Sequence, residues 1–310
     1  MKLGFIKPNF PFEKRVALLP EHIENFENEL IVESGFGEHL DIKDEEYIAK
    51  GCSIATRENI FHECDTIFNL KLIQPPDYNS IRHGQMIIGW THPTGSGISF
   101  MESQAIPKEL VIVDLDNIYP FIFHKGNKIP ITFIKQNFIW ENSFMAGFSS
   151  TLHAILQMGM LPDSNTRVAL LSSGNVSQGS YKAISMFNCN IRMFYRKTMH
   201  LFYESISDYD IIINGIEIDN DNAHIITKAD LQRIKEGCLI LDAAADAGRA
   251  IEGTKYTKIG NPIYLEDGKY FYEVNNSPSI FYRETSRIIS RVFSEVVYKK
   301  DVKRFWDLLK

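Results

Sequence analysis

The stretch Arg167–Ser180, RVALLSSGNVSQGS, decides how the rest of the chain is read. Val168–Leu171 is an unbroken apolar run of strand length, Ser172–Ser173–Gly174–Asn175 is a turn of small residues, and a helical pattern opens at Val176. A strand, a tight turn and a helix N-terminus in that order let backbone N–H groups and the helix dipole meet a pyrophosphate. The dinucleotide fingerprint G-x-G-x-x-G/A would put glycines at 172 and 174 and a small residue at 177. Here Ser172 stands at the first glycine position and Gly179 falls two residues late. Serine disfavours positive φ, so a slightly altered turn is expected. Taken alone, the stretch equally describes an ordinary strand–turn–helix.

The next strand sharpens the reading. Ile191–Tyr195 runs into Arg196, Lys197 and Thr198, about 20 residues past the turn, where an NAD site carries an acid for the ribose hydroxyl. No acid is present there and two cations are. Charge-assisted donors suit a 2′-phosphate, which expects NADP(H) held by Ser172, Ser173, Gly174, Asn175, Val176, Tyr195, Arg196 and Lys197. A solvated basic loop is the plainer alternative.

Outward from this core the chain alternates short apolar runs with helical patterns, the signature of parallel sheets wrapped by helices. Strands are expected at Leu3–Ile6, Leu30–Glu33, Thr66–Ile73, Met86–Trp90 and Val111–Asp114. Pro20 marks a helix start whose apolar face continues through Ile23, Phe26 and Leu30. From Asn142 a helix carries Phe144, Phe148, Leu152 and Ile155 to a stop at Gly159. After the strand of the opening stretch come helix Val176–Phe187, strands Ile191–Tyr195 and Ile211–Ile213, helix Lys228–Lys235 and strand Leu239–Asp242. One long amphipathic helix ends the series, with Ile288, Ile289, Val292, Phe293, Val296 and Val297 on one side. The fold class expected is α/β: two Rossmann-like, doubly wound parallel-sheet domains with a cleft between them.

Bulk properties narrow the function. The 310 residues carry a net charge of −6 without a basic stripe, which argues against a nucleic-acid partner. The start, MKLGFIKPNFPFEKR, is broken by Pro8, Pro11 and basic residues, so it does not read as a signal peptide. No apolar run approaches the roughly 18 residues of a membrane span, and a cytoplasmic protein is expected. Cys52, Cys64, Cys189 and Cys238 form no CxxC and read as reduced thiols, with no metal site.

Three stretches of the first half invite a chemical reading. In FEKRVALLP, Arg15 could grip a carboxylate bidentately or be a surface arginine. In TIFNLKLIQPP, Lys71 lies within a β-branched and aromatic run, where a charge is costly unless exposed or paired. Alternation puts Asn69 and Lys71 on one face, either facing solvent or aimed at a ligand. In MIIGWTHPTGSG, His92 follows a buried strand, where open α/β sheets bind ligands, and suits general acid–base work. In the second half, LDAAADAG offers Asp246 in a small-residue loop and Asp242 as a turn cap, and NNSPSIF, with Asn276 and Pro278, reads as a rigid turn.

PFEKRVALLP, NLKLIQPPDY, GWTHPTG, the strand–turn–helix, NGIEI, LDAAADAG and VNNSP occur in one order over nearly the whole chain. In this the sequence resembles the alanine dehydrogenase, transhydrogenase and lysine-forming saccharopine dehydrogenase superfamily. GFGEHLDIKDEEY, LKLIQPPDY, GQMIIGWTHPTGSG, YDIIINGIEI and DAAADAG bring it nearer to the carboxyethyl-ornithine synthase family. That resemblance implies an NADP-dependent, opine-type oxidoreductase that reductively condenses pyruvate with the side-chain amine of ornithine or lysine. It implies Arg15 and Lys71 as oxo-acid ligands, His92, Lys71 and Asp246 as catalytic groups, and Asn214 and Gly215 beside the cofactor. It implies a homo-oligomer, with a tetramer favoured. It also implies a discontinuous substrate domain, residues 1–138 completed by 281–310, around an NADP-binding domain at 139–280. Three rivals stand beside it: amination of pyruvate by ammonia, saccharopine-type chemistry with Arg283 as an added cation, and a catalytically silent nucleotide or amino-acid sensor.

Overall fold

The computed structural model describes residues 1–116, 118–218 and 223–310. The chain divides into two compact units, Met1–Ile139 with Tyr282–Lys310, and Trp140–Phe281.

The first unit opens with β1 (Lys2–Phe5), β2 (Glu29–Glu33), α1 (Asp44–Ile48), β3 (Ser53–Ala55), α2 (Arg57–Glu63) and β4 (Thr66–Asn69). It continues with β5 (Met86–Gly89), α3 (Ile98–Phe100), β6 (Val111–Asp114), β7 (Phe121–His124) and β8 (Asn127–Pro130). The sheet order is β3-β2-β1-β4-β5-β6-β7-β8; β1 to β6 are parallel and the last two strands antiparallel. Strand order reverses between β1 and β4, the place where such sheets bind ligands at their carboxyl ends. The central strands are buried on both faces, which is why they read as continuous apolar runs. Phe68, Ile88 and Val113 face one core cluster, and Ile67, Ile87 and Ile112 the opposite one.

The second unit contains α4 (Trp140–Met158), β9 (Arg167–Leu171), α5 (Asn175–Ile184), β10 (Asn190–Phe194), α6 (Met199–Glu204) and β11 (Ile211–Asn214). It ends with α7 (Lys228–Arg233), β12 (Leu239–Asp242), β13 (Ile263–Glu266) and β14 (Lys269–Tyr272). The order is β10-β9-β11-β12-β14-β13, with only β13 antiparallel, so the reversal lies between β9 and β11. Helices α4 and α5 cross backbone to backbone. A Cβ on Gly147 would lie 1.8 Å from the Val176 carbonyl oxygen, and one on Gly179 would lie 1.8 Å from that of Phe144. Gly179 therefore serves helix packing, which explains its place outside the fingerprint spacing.

The chain then returns to the first unit through α8 (Tyr282–Phe293), a π-helical turn Ser294–Tyr298 and α9 (Lys303–Asp307). Ile289, Phe293, Val297 and Phe305 enter the same core as Phe68 and Ile88. Serine hydroxyls stitch the segment to the N-terminal loop: Val16 N–H donates to Ser286 Oγ at 2.9 Å and Leu19 N–H to Ser290 Oγ at 2.7 Å.

Several local expectations need correction. The helix expected from Pro20 is a single 3₁₀ turn, Pro20–His22; Asn25 takes φ 53° and Leu30 belongs to β2. β4 stops at Asn69 rather than Ile73, because the Asn69 side-chain amide donates to the Lys71 carbonyl at 2.6 Å and bends the chain out of the sheet. The final helix runs without a break over residues 282–298, its last turn π-helical, and α9 follows as a separate short helix. β3, β7, β8, β13 and β14 were not anticipated.

Candidate active site

The candidate residues of the first unit all leave the carboxyl ends of its central parallel strands. Arg15 is in the loop after β1, Lys71 follows β4, His92 follows β5, and Asp116 follows β6. Arg15 is 1% exposed and Lys71 5%, so the surface-arginine and outward-lysine readings do not hold. Arg15 donates from Nε to Glu13 Oε1 and from Nη2 to Oε2, both at 2.7 Å. Glu13 is 4% exposed; although burial pushes its carboxyl up, the Arg15 charge and hydrogen bonds and the Lys71 charge hold it below the usual range. Trp90, at the end of β5, forms the floor. The Arg15 guanidinium lies 4.8 Å from its ring centroid and Lys71 Nζ lies 5.8 Å from it and from that of Phe10. Both cations thus lie within cation–π reach of one indole, which attracts them without neutralising them.

Lys71 Nζ is 3.1 Å from His92 Nε2, and His92 Nδ1 is 2.8 Å from Asp116 Oδ2. The chain Asp116–His92–Lys71 fixes the proton positions. With Nδ1–H donated to the carboxylate, Nε2 is left to accept from Lys71, or to hold a proton that Lys71 accepts. One proton is thus shared between two nitrogens. Burial lowers the pKa of Lys71, only partly opposed by Asp116. Burial pushes Asp116 up, but His92, Lys71 and Arg15 outweigh it and hold the carboxyl at about 2.

The backbone that aims His92 is unusual. His92 adopts φ 45°, and its carbonyl accepts from Gly95 N–H at 3.0 Å and Gly97 N–H at 2.9 Å. A Cβ on Gly97 would fall 2.0 Å from the Thr91 carbonyl oxygen, so only glycine lets the loop close there. Thr91 is pinned by its N–H and hydroxyl, both donating at 3.0 Å to Asp114 Oδ1. Glu13, Trp90 and Asp116 were passed over in the sequence. Asp116 stood at the carboxyl end of a strand already recognised, and that position was its signal.

In the second unit the turn after β9 carries a serine at the fingerprint's first glycine position. Ser172 takes φ 91°, a backbone conformation that favours glycine. Ser172 Oγ accepts from Gly174 N–H at 3.1 Å, and Gly174 caps α5, whose first turn holds Asn175 and Val176. Ser173 and Gly174 are exposed. Ser177, buried, donates to the Leu171 carbonyl at 2.9 Å, and a Cβ on Gly215 would lie 2.2 Å from its Oγ. These features fit a dinucleotide: a positive-φ turn, exposed N–H groups at a helix start and a second glycine closing from β11. Tyr195, Arg196 and Lys197 are exposed at the end of β10, and neither cation has a carboxylate partner among the described residues. Asn214 is placed differently from a ligand. It is fully buried, and its amide donates to Asp242 Oδ1 at 2.9 Å and the Ile216 carbonyl at 3.0 Å, so it shapes the loop that Gly215 begins.

Asp242 caps the loop that carries Asp246: its Oδ1 accepts from Ala244 N–H at 3.2 Å and Ala245 N–H at 3.3 Å, and Ala245 takes φ 55°. Asp246 pairs with Arg249 at 3.2 Å. Glu273 follows β14; burial raises both it and Asp242 above the usual range, helped by the Asp242 charge on Glu273 and the Asp246 charge on both. Arg283 is bound at the surface to Asp41 at 2.7 Å.

The fold and these residues define a dehydrogenase-type enzyme with a nicotinamide cofactor. Residues 6–119 match the family model for the alanine dehydrogenase/PNT N-terminal domain, and residues 161–307 that for its C-terminal domain. A solved L-alanine dehydrogenase superposes with a TM-score of 0.77 at 15% identity, covering 96% of this chain and 89% of its own, a likeness of fold. An N(5)-(carboxyethyl)ornithine synthase of Clostridium botulinum is 57% identical over 100% of this chain and 98% of that protein. One of Lactococcus lactis subsp. lactis is 51% identical over 100% and 99%. The chain belongs to the N(5)-(carboxyethyl)ornithine synthase family, within the alanine dehydrogenase/PNT superfamily. Among the described residues no helix is long and apolar enough to cross a membrane.

Proposed function

We propose that this enzyme uses NADPH to condense pyruvate reductively with the side-chain amine of ornithine or lysine. The observation that carries the reading is the Asp116–His92–Lys71 chain beside the buried Arg15, and the names of its relatives support the choice of substrates. Arg15 and Lys71 bind the carboxylate of the oxo acid, and Lys71 polarises its carbonyl. A bound carboxylate adds negative charge beside Lys71 and His92, so their shared proton is held more tightly once the oxo acid is in place. The amine enters as free base and attacks the carbonyl carbon. The Lys71–His92 pair moves one proton from the nitrogen to the oxygen and passes it a second, drawn from solvent, so that it leaves as water and a protonated imine remains, with Asp116 holding the imidazole in register. Asp246 orients the amine. A nicotinamide cofactor, when bound, supplies the hydride that reduces the resulting imine. Arg196 and Lys197 hold its 2′-phosphate; Ser172 to Val176, Tyr195 and Gly215 contact the rest, and Asn214 shapes the loop. By the family resemblance the enzyme works as a homo-oligomer.

The test is a substrate matrix with several oxo acids, several amines and both reduced nicotinamides, followed by absorbance. Fastest oxidation of NADPH with pyruvate plus ornithine or lysine is expected. Equal or faster oxidation with ammonia would replace the reading by alanine dehydrogenase chemistry. NADPH binding with no oxidation by any pair would replace it by a sensor.

A further inference from the structure

Next to Arg15 the first unit holds a cavity of about 390 Å³ whose walls carry Lys7, Glu33, Glu38, His39, Arg57 and Asp77 besides. This is within the size range of small-molecule sites. Apart from His39, and from Arg15, whose charge the buried Glu13 already answers, the walls set Lys7 and Arg57 against Glu33, Glu38 and Asp77. A lining of that kind suits neither a simple anion nor an apolar ligand. It suits a molecule with one charge of each sign close together.

The charges are not equally available. Arg57 is consumed by the wall itself: Nε donates to Asp77 Oδ1 at 2.7 Å, Nη2 to Oδ2 at 2.8 Å, and Nη1 to Glu33 Oε2 at 2.8 Å and the Lys7 carbonyl at 2.9 Å. Asp77 Oδ2 also accepts from Asn9 Nδ2 at 2.7 Å. Glu33 is different. It is 8% exposed, its Oε2 is occupied by Arg57 and by Lys7 N–H at 2.7 Å, and its Oε1 accepts no hydrogen bond among the described residues. A rigidly held carboxylate, nine-tenths buried, thus keeps one oxygen for a donor that comes from outside. Lys7, its Nζ 3.7 Å from Glu38, supplies a movable ammonium, and the exposed His39 an imidazole, on the same wall.

We propose that this cavity seats the α-amino-acid head group of the amine substrate, with Glu33 Oε1 taking the α-ammonium and the Lys7–His39 wall facing the α-carboxylate. The proposal rests on the reductive-condensation reading for the second substrate's role, because Arg15 lies on both the cavity and the Trp90 floor. A side chain of three or four carbons then extends from the head group on the side of Arg15, whose guanidinium lies over the same Trp90 ring as Lys71. The cavity thereby selects a diamino acid over ammonia or a simple alkylamine.

The test uses the full chain and the Glu33→Gln variant, whose amide oxygen still accepts from Arg57 and Lys7, with the melting temperature as a check on folding. KM for ornithine should rise roughly ten- to hundredfold, the loss of one charge-assisted hydrogen bond, while KM for pyruvate stays within about twofold. The inhibition constant of 5-aminopentanoate, which lacks the α-ammonium, should not change. An unaltered KM for ornithine, or equal losses for both ligands, would overturn the assignment. Equilibrium dialysis with ornithine alone separates the two readings. Retention that depends on Glu33, in an enzyme that turns over no pair of substrates, would sink the reaction and keep the cavity. Turnover of ornithine indifferent to Glu33 would do the reverse.

Discussion

Replacing Asp116 by asparagine removes one negative charge from the end of the Asp116–His92–Lys71 chain and little else. The amide oxygen can still accept from His92 Nδ1, so ring orientation is retained and only the charge assistance is lost. A hydrogen bond to a charged partner contributes about 1.5–3 kcal/mol. The two side chains are 25% and 31% exposed, so solvent screens part of this and the lower end applies. About 1.4 kcal/mol is one factor of ten and one pH unit. The assay is kcat/KM for pyruvate at saturating amine and NADPH between pH 5 and 10. A roughly tenfold loss is expected, with the acid limb of the profile moved about one unit lower, since the proton shared by Lys71 and His92 is held less tightly. A structural role for Asp116 would lower the rate or the melting temperature without moving the limb. An unmoved limb and an unchanged rate together would refute the proton-sharing chain.

Further outcomes follow from the second unit. Arg196→Ser should weaken NADPH at least tenfold more than NADH, read as dissociation constants by fluorescence titration; equal losses would take Arg196 off the 2′-phosphate. Ser172→Gly should raise the melting temperature by a few degrees. Relief of a φ of 91° is worth about 1–3 kcal/mol and outweighs the roughly 0.4–1 kcal/mol lost through a freer unfolded chain. A lower melting temperature would mean that the hydrogen bond from Gly174 to Ser172 Oγ dominates. Glu273→Gln should flatten the pH dependence of stability. Raised carboxyls bind protons more tightly in the folded state, so their contribution is present below the ordinary carboxylate range and fades as pH climbs through the folded values. Calorimetry at pH 5 and pH 8 should show the wild type losing more than the variant.

The parallel strands were legible because their burial on both faces leaves an unmistakable apolar signature: β5, β6, β9 and β12 all announced themselves. What escaped were short, half-exposed antiparallel strands at the sheet edges. Yet β13 and β14 are joined by Asp267–Gly268, at φ 47° and 74°, and β7 and β8 by Lys125–Gly126, at φ 47° and 77°. Two-residue turns of this kind are strong hairpin signals, so the information was present. The helix at Pro20 failed for another reason. The periodicity of Ile23, Phe26 and Leu30 is real but incidental, since Leu30 serves a strand and Asn25 breaks the run with positive φ. Among candidate residues, Arg15, Lys71 and His92 stood out by lying before, within and after apolar runs. Asp116 and Glu33 did not, because a carboxylate's partner is fixed by which strand ends lie side by side, and no local pattern states that.

Synthesis delivers residues 140–281 in full before the segment that closes the other unit has left the ribosome. Until residues 282–310 emerge, the face carrying Phe68, Ile88 and Trp90 lacks Phe293 and Val297, and Ser286 and Ser290 are absent from the loop of Val16 and Leu19. The nucleotide-type unit can mature early, whereas the unit bearing Lys71 and His92 must wait with an open greasy flank. Chaperone dependence and nascent-chain aggregation should accordingly concentrate in the N-terminal segment.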